Sequence, residues 1–511
     1  MDPWSRFCRW TLPVPGTGLT LDLSAMEMAD LEPWRSALNR ALGAMADIEA
    51  GAIANPDEGR QVGHYWLRTP DLAVDAPSRE AIRAMRREAA SLADRLRRAF
   101  DPTHVLHLGI GGSALGPQLL ADALEPSLPG GRVHRCNYRV LDNTDPDGFE
   151  RHLAGVDPDR SLVVVVSKSG TTVETRNALL RIRRFYAATG TPLPPRAVAV
   201  TQEGSALDGQ ARQEGWAGRL PLWDWVGGRT SVTGPVGLLP AWLLGIDADA
   251  FLAGAAAMDA ATREPVDRNP AAWLASAWFA SQLDRPRSMV VLPYADRLAL
   301  FPRYLQQLVM ESLGKRNDRK GLEIRAGLTV YGNKGSTDQH AFVQQLRDGP
   351  DDFFVTFVQV FRPGGPDPAL HGEETAGDAL AACLAGTRRA LSADRKRSLT
   401  ITLDTLDAAT LGALVALYER TVGIYAECID VNAYHQPGVE AGKTAMAAIL
   451  AAQADLLAVL TQPATALDLA ERAGVDPVEA WRILVRLATA GNRGVVRHPG
   501  RDCAEDRFSR G

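Results

Sequence analysis

Residues 161–175 read SLVVVVSKSGTTVET, and this stretch determines the class of fold. Leu162–Val166 is an uninterrupted apolar run rich in valine, which is typical of a strand buried on both faces of a parallel sheet. The run ends at a turn of serine, threonine and glycine, and a helical pattern of apolar residues begins at Val173. The free amide groups of such a turn, its hydroxyl groups and the positive end of the helix dipole together favour a bound anion. The stretch therefore predicts a phosphate site between a strand and a helix.

The surrounding sequence indicates which kind of phosphate binds and which kind of sheet holds it. The G-x-x-x-x-G-K-[ST] loop of nucleotide-binding proteins does not occur at this turn, so a compact sugar phosphate is favoured over ATP. Two further strand–loop–helix units flank it, at His104–Gly116 and at Arg196–Asp208. Strands that alternate with helices imply a doubly wound parallel sheet, whose ligands bind beyond the carboxyl ends of the strands.

Composition excludes several classes of protein. The chain has 511 residues, 46% apolar and 23% charged, with a net charge of −5, and this balance argues against nucleic acid or anionic membrane as the main partner. The five cysteines have neither metal-ligand nor disulfide spacing, so we expect a reducing, cytoplasmic location. The longest apolar stretch, Val236–Ile246, is interrupted by Pro240 and is too short to span a bilayer.

Four segments are predicted along the chain. Residues 1–95 form a mainly helical segment, and residues 96–250 form a first α/β domain that binds phosphate. Residues 251–454 form a second doubly wound α/β domain. Residues 455–511 form a small helix-turn-helix or winged-helix-like tail. Acidic and arginine residues are equal in number from residue 455 onward, so the tail lacks the basic surface of a DNA-binding domain, and we expect a packing or interface role.

Six short motifs carry the remaining chemical information, and their order is more specific than any one of them. They are Gly109–Gly116, Ser167–Thr175, Gly227–Ser231, Met310–Lys315, Gly335–Phe342 and Gln436–Lys443. In this order the set resembles the signature motifs of the phosphoglucose isomerase family, over roughly residues 50–455. The resemblance implies two sugar isomerase-type domains. It also implies a glycolytic and gluconeogenic aldose–ketose isomerase that interconverts glucose 6-phosphate and fructose 6-phosphate.

The resemblance assigns four catalytic residues. Glu311 is the base that removes a proton from C2 and returns it to C1, which one carboxylate can do because the two carbons are adjacent on one face of a cis-enediolate. Arg229 stabilises the enediolate with a fixed positive charge. His340, with Lys443 as its companion, opens the sugar ring. In this family the histidine comes from the neighbouring subunit, so a homodimer with composite active sites is implied.

Eight further residues match positions that bind the substrate. They are Gly112, Ser113, Ser167, Lys168, Ser169, Thr172, Gln307 and Gln436. Helix capping is the alternative role for the serine and threonine residues, and one turn can serve both purposes. The resemblance implies neither a metal ion nor an organic cofactor.

Lysine is rare in this chain, and its positions are informative. It occurs at positions 168, 315, 320, 334, 396 and 443, against a background of many arginines. Three of the six, Lys168, Lys315 and Lys443, lie in the motifs named above. This distribution indicates sites that need a compact ammonium group instead of a planar guanidinium.

Two alternative functions are open at this point. The motifs depart from common family sequences at Leu313, at Pro437 and in the histidine loop at residues 335–338, and these departures bear on substrate specificity. The first alternative is therefore an isomerase for mannose 6-phosphate, or for both sugars. The second is a non-catalytic sugar-phosphate sensor that acts on DNA through the tail, which a sugar-phosphate-dependent gel shift would support.

Overall fold

The computed structural model describes residues 2–26, 28, 30–124 and 136–511, without the side chains of residues 439–441, 443 and 444. The chain forms two units, Met1–His435 and Gln436–Gly511. No helix among the described residues is both long enough and apolar enough to cross a membrane.

The strands of the first unit are short segments distributed along its whole length. They are β1 (Thr11–Val14), β2 (Leu19–Asp22), β3 (Ile53–Asn55), β4 (Arg60–Gln61), β5 (His104–Leu108), β6 (Asn137–Leu141), β7 (Ser161–Val166), β8 (Ala197–Thr201), β9 (Gly218–Pro221), β10 (Ser288–Tyr294), β11 (Lys315–Asn317), β12 (Glu323–Ala326), β13 (Val330–Tyr331), β14 (Phe353–Arg362), β15 (Ala369–His371), β16 (Glu374–Thr375) and β17 (Ser398–Thr405).

Helices alternate with these strands. They are α1 (Pro3–Arg9), α2 (Glu32–Glu49), α3 (Ala76–Phe100), α4 (Leu115–Ala123), α5 (Pro146–Leu153), α6 (Val173–Thr189), α7 (Ala206–Gln213), α8 (Pro235–Leu244), α9 (Ala248–Ala261), α10 (Pro270–Gln282), α11 (Phe301–Leu305), α12 (Val343–Asp348), α13 (Ala376–Ala393) and α14 (Ala408–Cys428). A π-helical segment, Gln306–Glu311, continues α11 without a break.

The first main sheet is parallel throughout, in the order β6-β5-β7-β8-β9. All six residues of β7 are buried, as the valine run predicts. Leu162, Val164 and Val166 pack on the side of α3 and α8, whereas Val163 and Val165 pack on the side of α6 and α7. The strand is apolar at every position because helices cover both faces of the sheet.

The second main sheet has the order β1-β2-β17-β14-β10-β13. Its strands β17, β14, β10 and β13 are parallel, while the hairpin β1–β2 joins the edge in the antiparallel sense. Helices α12 and α13 contribute to the core on one face, and α10, α11 and α14 contribute to the core on the other. The predicted fold class, α/β with two doubly wound parallel sheets, is confirmed, and the N-terminal segment adds an edge hairpin to the second sheet.

The second unit has its own small core. It consists of α15 (Pro437–Val459), β18 (Ala464–Thr465), α16 (Ala466–Ala473), α17 (Pro477–Ala490), β19 (Val495–His498) and β20 (Arg507–Arg510). The three strands form an antiparallel sheet in the order β18-β20-β19, and Leu469, Leu484 and Phe508 are fully buried between sheet and helices. The helices α16 and α17 are followed by the β19–β20 hairpin, and the winged-helix-like character of this tail stays a prediction.

Candidate active site

Two loops meet at the carboxyl edge of the first sheet. β5 leads into the glycine loop at residues 109–113, and β7 leads into the hydroxyl-rich turn at residues 167–172. The order of strands reverses here, because β5 pairs with β6 on one side and with β7 on the other. Such a switch point is where doubly wound sheets bind their ligands. Both predicted phosphate loops therefore occupy the expected place.

The hydroxyl-rich turn is held together by its own side chains. Ser167 Oγ lies 3.2 Å from Thr172 Oγ1 and accepts a hydrogen bond from the amide of Gly170 at 3.0 Å. Ser169 Oγ lies 2.8 Å from Thr171 Oγ1 and accepts from the amide of Thr171 at 3.2 Å. Thr172 is the N-cap residue of α6, yet its side chain makes no capping hydrogen bond to that helix. The capping role considered for Thr172 is thus not used, and its hydroxyl faces the turn.

Lys168 extends away from the hydroxyl groups of its own turn. Its Nζ donates to the main-chain carbonyl of Asp224 at 3.0 Å and lies 3.3 Å from Asp224 Oδ1. Burial lowers the pKa of this ammonium group, and the carboxylate of Asp224 opposes that shift. The role of Lys168 as a cationic neighbour of a phosphate stays a prediction.

The glycine loop lies in close contact with the loop that carries Arg229. A Cβ atom at Gly112 would lie 2.0 Å from the carbonyl oxygen of Gly228 and 2.7 Å from the amide nitrogen of Arg229. Ser231 Oγ donates to the carbonyl oxygen of Gly228 at 2.8 Å and lies 3.3 Å from that of Gly112. A Cβ at Gly111 would lie 3.0 Å from Gln307 Nε2, so the predicted substrate-binding glutamine borders this loop. Gly112 is required here because no side chain fits between the loops.

Ser113, at the end of the glycine loop, is positioned by a buried histidine. His107 lies on β5, and its Nε2 is 2.6 Å from the carbonyl oxygen of Ser113. Burial lowers the pKa of His107 to about 4, so the neutral ring donates this hydrogen bond. His107 is not among the site residues predicted from the sequence, because it acts on the loop only through the main-chain carbonyl group of Ser113.

Arg229 bonds to three partners on two segments of the chain at once. The residue is 7% exposed. Its Nη1 donates to the carbonyl oxygen of Ala433 at 3.1 Å and to Ser312 Oγ at 3.2 Å, and its Nη2 donates to the carbonyl oxygen of His435 at 3.2 Å. Burial lowers the pKa of the guanidinium, and the nearby carboxylate of Glu311 opposes this shift. A planar guanidinium with several donors can bond to these separate acceptors at once, which suits the position better than a single ammonium group.

Glu311 lies beside that guanidinium. Its Oε2 is 3.3 Å from Arg229 Nε, and its side chain is 20% exposed. Within the part of the chain that the structure describes, this buried oxygen accepts no hydrogen bond. Glu311 ends the π-helical segment, a geometry that is often found at functional sites. The carboxylate is thus held against a fixed positive charge through Oε2, while the side chain as a whole stays partly exposed.

His340 lies in a different part of the structure from Glu311 and Arg229. It ends the short turn Thr337–His340 after β13, and the amide of Gly335 bonds to the carbonyl oxygen of Pro293 near the end of β10. This turn therefore belongs to the carboxyl edge of the second sheet. His340 itself is exposed, whereas its neighbour Gln339 donates to the carbonyl oxygen of Cys383 at 3.1 Å.

Glu311 lies toward the opposite edge of that sheet. The helix from Phe301 to Glu311 follows β10 and returns toward the start of β13, a run of roughly 15 Å at 1.5 Å per residue. Just beyond Glu311, Lys315 pairs with Ala326, four residues before β13 begins. The direction of the strands therefore places Glu311 and His340 toward opposite edges of the second sheet.

Gln436 and Lys443 belong to the second unit. Gln436 is the N-cap residue of α15, without a side-chain capping bond, and the side chain of Lys443 lies outside the described residues. Their places at the site stay predictions. No group of three or more histidine, cysteine, aspartate or glutamate residues in the described part of the chain could hold a metal ion.

Two doubly wound sheets, with phosphate-type loops at the switch point of the first, define a sugar isomerase-type protein. The family model of phosphoglucose isomerase matches residues 44–385 and 381–461. The chain therefore belongs to the phosphoglucose isomerase family.

Relatives and solved structures agree with this. The chain is 51% identical to a glucose-6-phosphate isomerase of Synechococcus sp. (strain JA-3-3Ab), over 98% of this chain and 97% of the relative. It is 48% identical to a glucose-6-phosphate isomerase of Geobacter sulfurreducens, over 99% and 98% of the two chains. The crystal structure of a glucose-6-phosphate isomerase from Chlamydia trachomatis matches with a TM-score of 0.80 at 29% identity, covering 87% of this chain and 90% of the other.

Proposed function

We propose that this chain interconverts glucose 6-phosphate and fructose 6-phosphate, with Glu311 as the base and Arg229 as the stabilising cation. The observation that carries the proposal is the contact of the Glu311 carboxylate with the buried guanidinium of Arg229, beside the glycine loop. Membership of the family and identity near 50% with named glucose-6-phosphate isomerases, over almost the whole chain, support the same reaction. The enzyme is an aldose–ketose isomerase whose substrate is a sugar phosphate.

Proton transfer is the central step. Glu311 takes the proton from C2 of the open-chain aldose, the electrons of the C–H bond form the C1=C2 double bond of a cis-enediolate, and the electrons of the C1 carbonyl pass to O1. The same carboxylic acid then returns a proton to C1 while the hydroxyl proton of O2 passes to O1, so that the C2 carbonyl of the ketose forms. The Oε2 atom of Glu311 is buried against Arg229, whereas the side chain as a whole is 20% exposed, so the carboxylate stays accessible to a substrate.

Arg229 stabilises the charge that develops on the enediolate oxygens. Its guanidinium is fixed by carbonyl groups of Ala433 and His435, so it needs little reorganisation during the reaction. Because arginine stays protonated throughout the working pH range, it supplies charge without donating its proton. Arg229 thus supplies only charge, and Glu311 carries out the proton transfers at C1 and C2.

The phosphate of the substrate is bound by the loops at the first switch point. Hydroxyl groups of Ser167, Ser169 and Thr172 converge with the N-terminus of α6, where the helix dipole favours an anion. Ser113 and Gly112 approach from the adjacent loop, and Gln307 and Gln436 are assigned to the sugar. Because the phosphate is bound by these loops, the distance from the reacting carbons to Glu311 is fixed.

Ring opening is assigned to His340, with Lys443 as the companion that the family resemblance implies, and we propose that His340 acts in the site of a partner subunit. Its imidazole is exposed, and it lies at the opposite edge of the second sheet from Glu311. An exposed histidine at that edge can reach a neighbouring chain in a symmetric dimer, in which each subunit gives the same residue to the other. The enzyme is thus a homodimer with two composite sites.

We also propose a cytoplasmic location and the four-part organisation predicted from the sequence. All five cysteines are free, and two of them, Cys8 and Cys503, are exposed, which suits a reducing compartment. The five strands of the first sheet lie within residues 96–250, and the parallel strands of the second lie within residues 251–454. These placements support the two sugar isomerase-type domains.

Proton NMR of the purified enzyme with fructose 6-phosphate in deuterium oxide tests the reaction. We expect glucose 6-phosphate to form, with deuterium at C2 in part of the product, because the proton on the Glu311 carboxyl exchanges with solvent in some turnovers. Formation of mannose 6-phosphate would change the assigned specificity. Absence of any aldose product would contradict the proposed function.

Co-expression of two differently tagged variants tests the composite site. A heterodimer of Glu311→Gln and His340→Ala subunits contains one intact site if His340 acts across the interface, so we expect about half of the wild-type activity. The matched control pairs a wild-type subunit with a Glu311→Gln/His340→Ala subunit, and this heterodimer should be almost inactive. The reverse pattern, an inactive first pair and a half-active control, would show that His340 acts within its own chain.

A further inference from the structure

Lys315 ends the Met310–Lys315 motif. The proposed mechanism gives this lysine no role. It is the first residue of β11, four residues after the proposed base, and it is 6% exposed. A buried ammonium group is costly unless its charge and its donors are satisfied. Its partners therefore indicate why the chain keeps a lysine here.

The ammonium group of Lys315 bonds to two main-chain carbonyl groups. Its Nζ donates to the carbonyl oxygen of Glu311 at 2.7 Å and to that of His435 at 3.0 Å. The first of these carbonyls lies in the last turn of the helix, where carbonyl groups lack amide partners and a positive charge is favourable. Lys315 thus joins the turn that carries the carboxylate to the segment that ends at His435.

The same segment is held by a second cation. Arg229 Nη2 also donates to the carbonyl oxygen of His435, at 3.2 Å, and Arg229 Nη1 donates to that of Ala433. Arg229 and Lys315 therefore share one acceptor, with the Glu311 main chain bonded to Lys315 and its carboxylate beside Arg229. The residue that follows in the chain is Gln436, which is assigned to the substrate.

The charged groups around Lys315 come from four segments. Arg229 and His435 lie beside it, together with the carboxylates of Glu311 and Asp57. Burial and the neighbouring charge of Arg229 together lower the pKa of Lys315 to about 8, and the two carboxylates oppose the shift. The ammonium form therefore predominates at neutral pH and is lost as the pH rises through about 8.

We propose that Lys315 is a positioning residue for the isomerisation, which fixes the orientation of the Glu311 carboxylate by tying its main chain to the carbonyl group of His435. This inference rests on the assignment of Glu311 as the base. Lysine suits the position because a compact ammonium group with three donors can bond to two carbonyl oxygens in the space beside Arg229. An arginine at position 315 would place a second planar guanidinium against that of Arg229.

Lys315→Met tests the proposal, because methionine keeps an unbranched side chain and removes the charge and the donors. We expect kcat to fall about tenfold to a hundredfold, with the KM for fructose 6-phosphate within about threefold of wild type, since a small misplacement of a reacting group has effects of this size. The matched control is Lys320→Met, on the same hairpin and highly exposed, which should keep wild-type kcat.

The fraction of protons transferred directly between C1 and C2 provides a readout that a purely structural role would not change. A loosely held carboxylate exchanges its proton with solvent more often, so folded Lys315→Met should give more deuterium in the product per turnover than wild type. An unchanged deuterium fraction and unchanged kcat would overturn the proposal. Glu311→Gln measured in parallel separates the two assignments, because normal turnover in that variant would remove the base itself and leave Lys315 without its proposed partner.

Lys315→Arg keeps the test valid if the methionine variant fails to fold. Wild-type kcat/KM should fall as the pH rises through about 8, where the ammonium group of Lys315 loses its proton. In Lys315→Arg the charge persists, so the alkaline decline attributable to this group should disappear, although the overall rate is reduced. The same alkaline profile in both proteins would contradict the proposal.

Discussion

Replacing Glu311 by Gln lowers kcat at least about a hundredfold, the smaller end of the range for loss of a general base. Glutamine has almost the same shape, so it can still lie beside Arg229 and leave the phosphate loops unchanged. It cannot accept the proton from C2, because its amide nitrogen and oxygen are far weaker bases than a carboxylate. We therefore expect the Kd for a sugar phosphate without a carbonyl group, such as sorbitol 6-phosphate, to stay within about threefold of wild type.

Steady-state turnover of fructose 6-phosphate and calorimetric binding of sorbitol 6-phosphate measure these two quantities separately. Glu323→Gln, an exposed carboxylate on β12, is the matched control and should leave both quantities unchanged. Glu311→Asp gives a further comparison, since it keeps the carboxylate but shortens the side chain by one methylene group. Its kcat should lie between those of wild type and Glu311→Gln. Near-normal turnover by Glu311→Gln would exclude this residue as the base.

The valine run and the turn after it could be predicted because a strand buried on both faces has a sequence of its own. Every position of β7 must be apolar when helices cover both sides, and the turn must then supply polar groups at the edge of the sheet. The glycine loop is predictable for a similar reason. At Gly112 the neighbouring carbonyl group leaves no space for a side chain.

Other parts of the site leave little trace in the sequence. The π-helical segment before Glu311 changes one turn of a helix, which is too short to alter the apolar periodicity. The acceptors of Arg229 and Lys315 at residues 433 and 435 are main-chain carbonyl groups, which every residue type provides. The rarity of lysine and the Met310–Lys315 motif both mark Lys315, and neither indicates its partners.

Chain topology explains why two further features could not be predicted from the sequence. The hairpin β1–β2 joins β17, which lies nearly 400 residues later in the chain, and strands of four residues give a weak signal of their own. The separation of His340 from Glu311 depends on the direction in which α11 returns along the second sheet. Only the arrangement of the strands shows that the two residues lie toward opposite edges.

Arg229→Lys is the second substitution for which we expect a large effect, about a hundredfold to a thousandfold in kcat, as for the loss of a preorganised donor to a developing oxyanion. The guanidinium has separate donors for Ser312, for the carbonyl groups at 433 and 435 and for the edge that faces Glu311. A lysine ammonium has three donors and one centre, so it cannot maintain these contacts together. The positive charge is kept in this variant, and the loss therefore measures geometry and not charge.

The KM for fructose 6-phosphate should change much less than kcat in Arg229→Lys, because the phosphate is assigned to the loops at residues 113 and 167–172 and not to Arg229. The matched control is Arg316→Lys on β11, where the side chain is 73% exposed. Thermal unfolding of both variants checks that the fold is intact. If Arg229→Lys keeps kcat within about threefold of wild type, a positive charge alone is sufficient at this position, and the fixed fork of donors has no part in stabilising the enediolate.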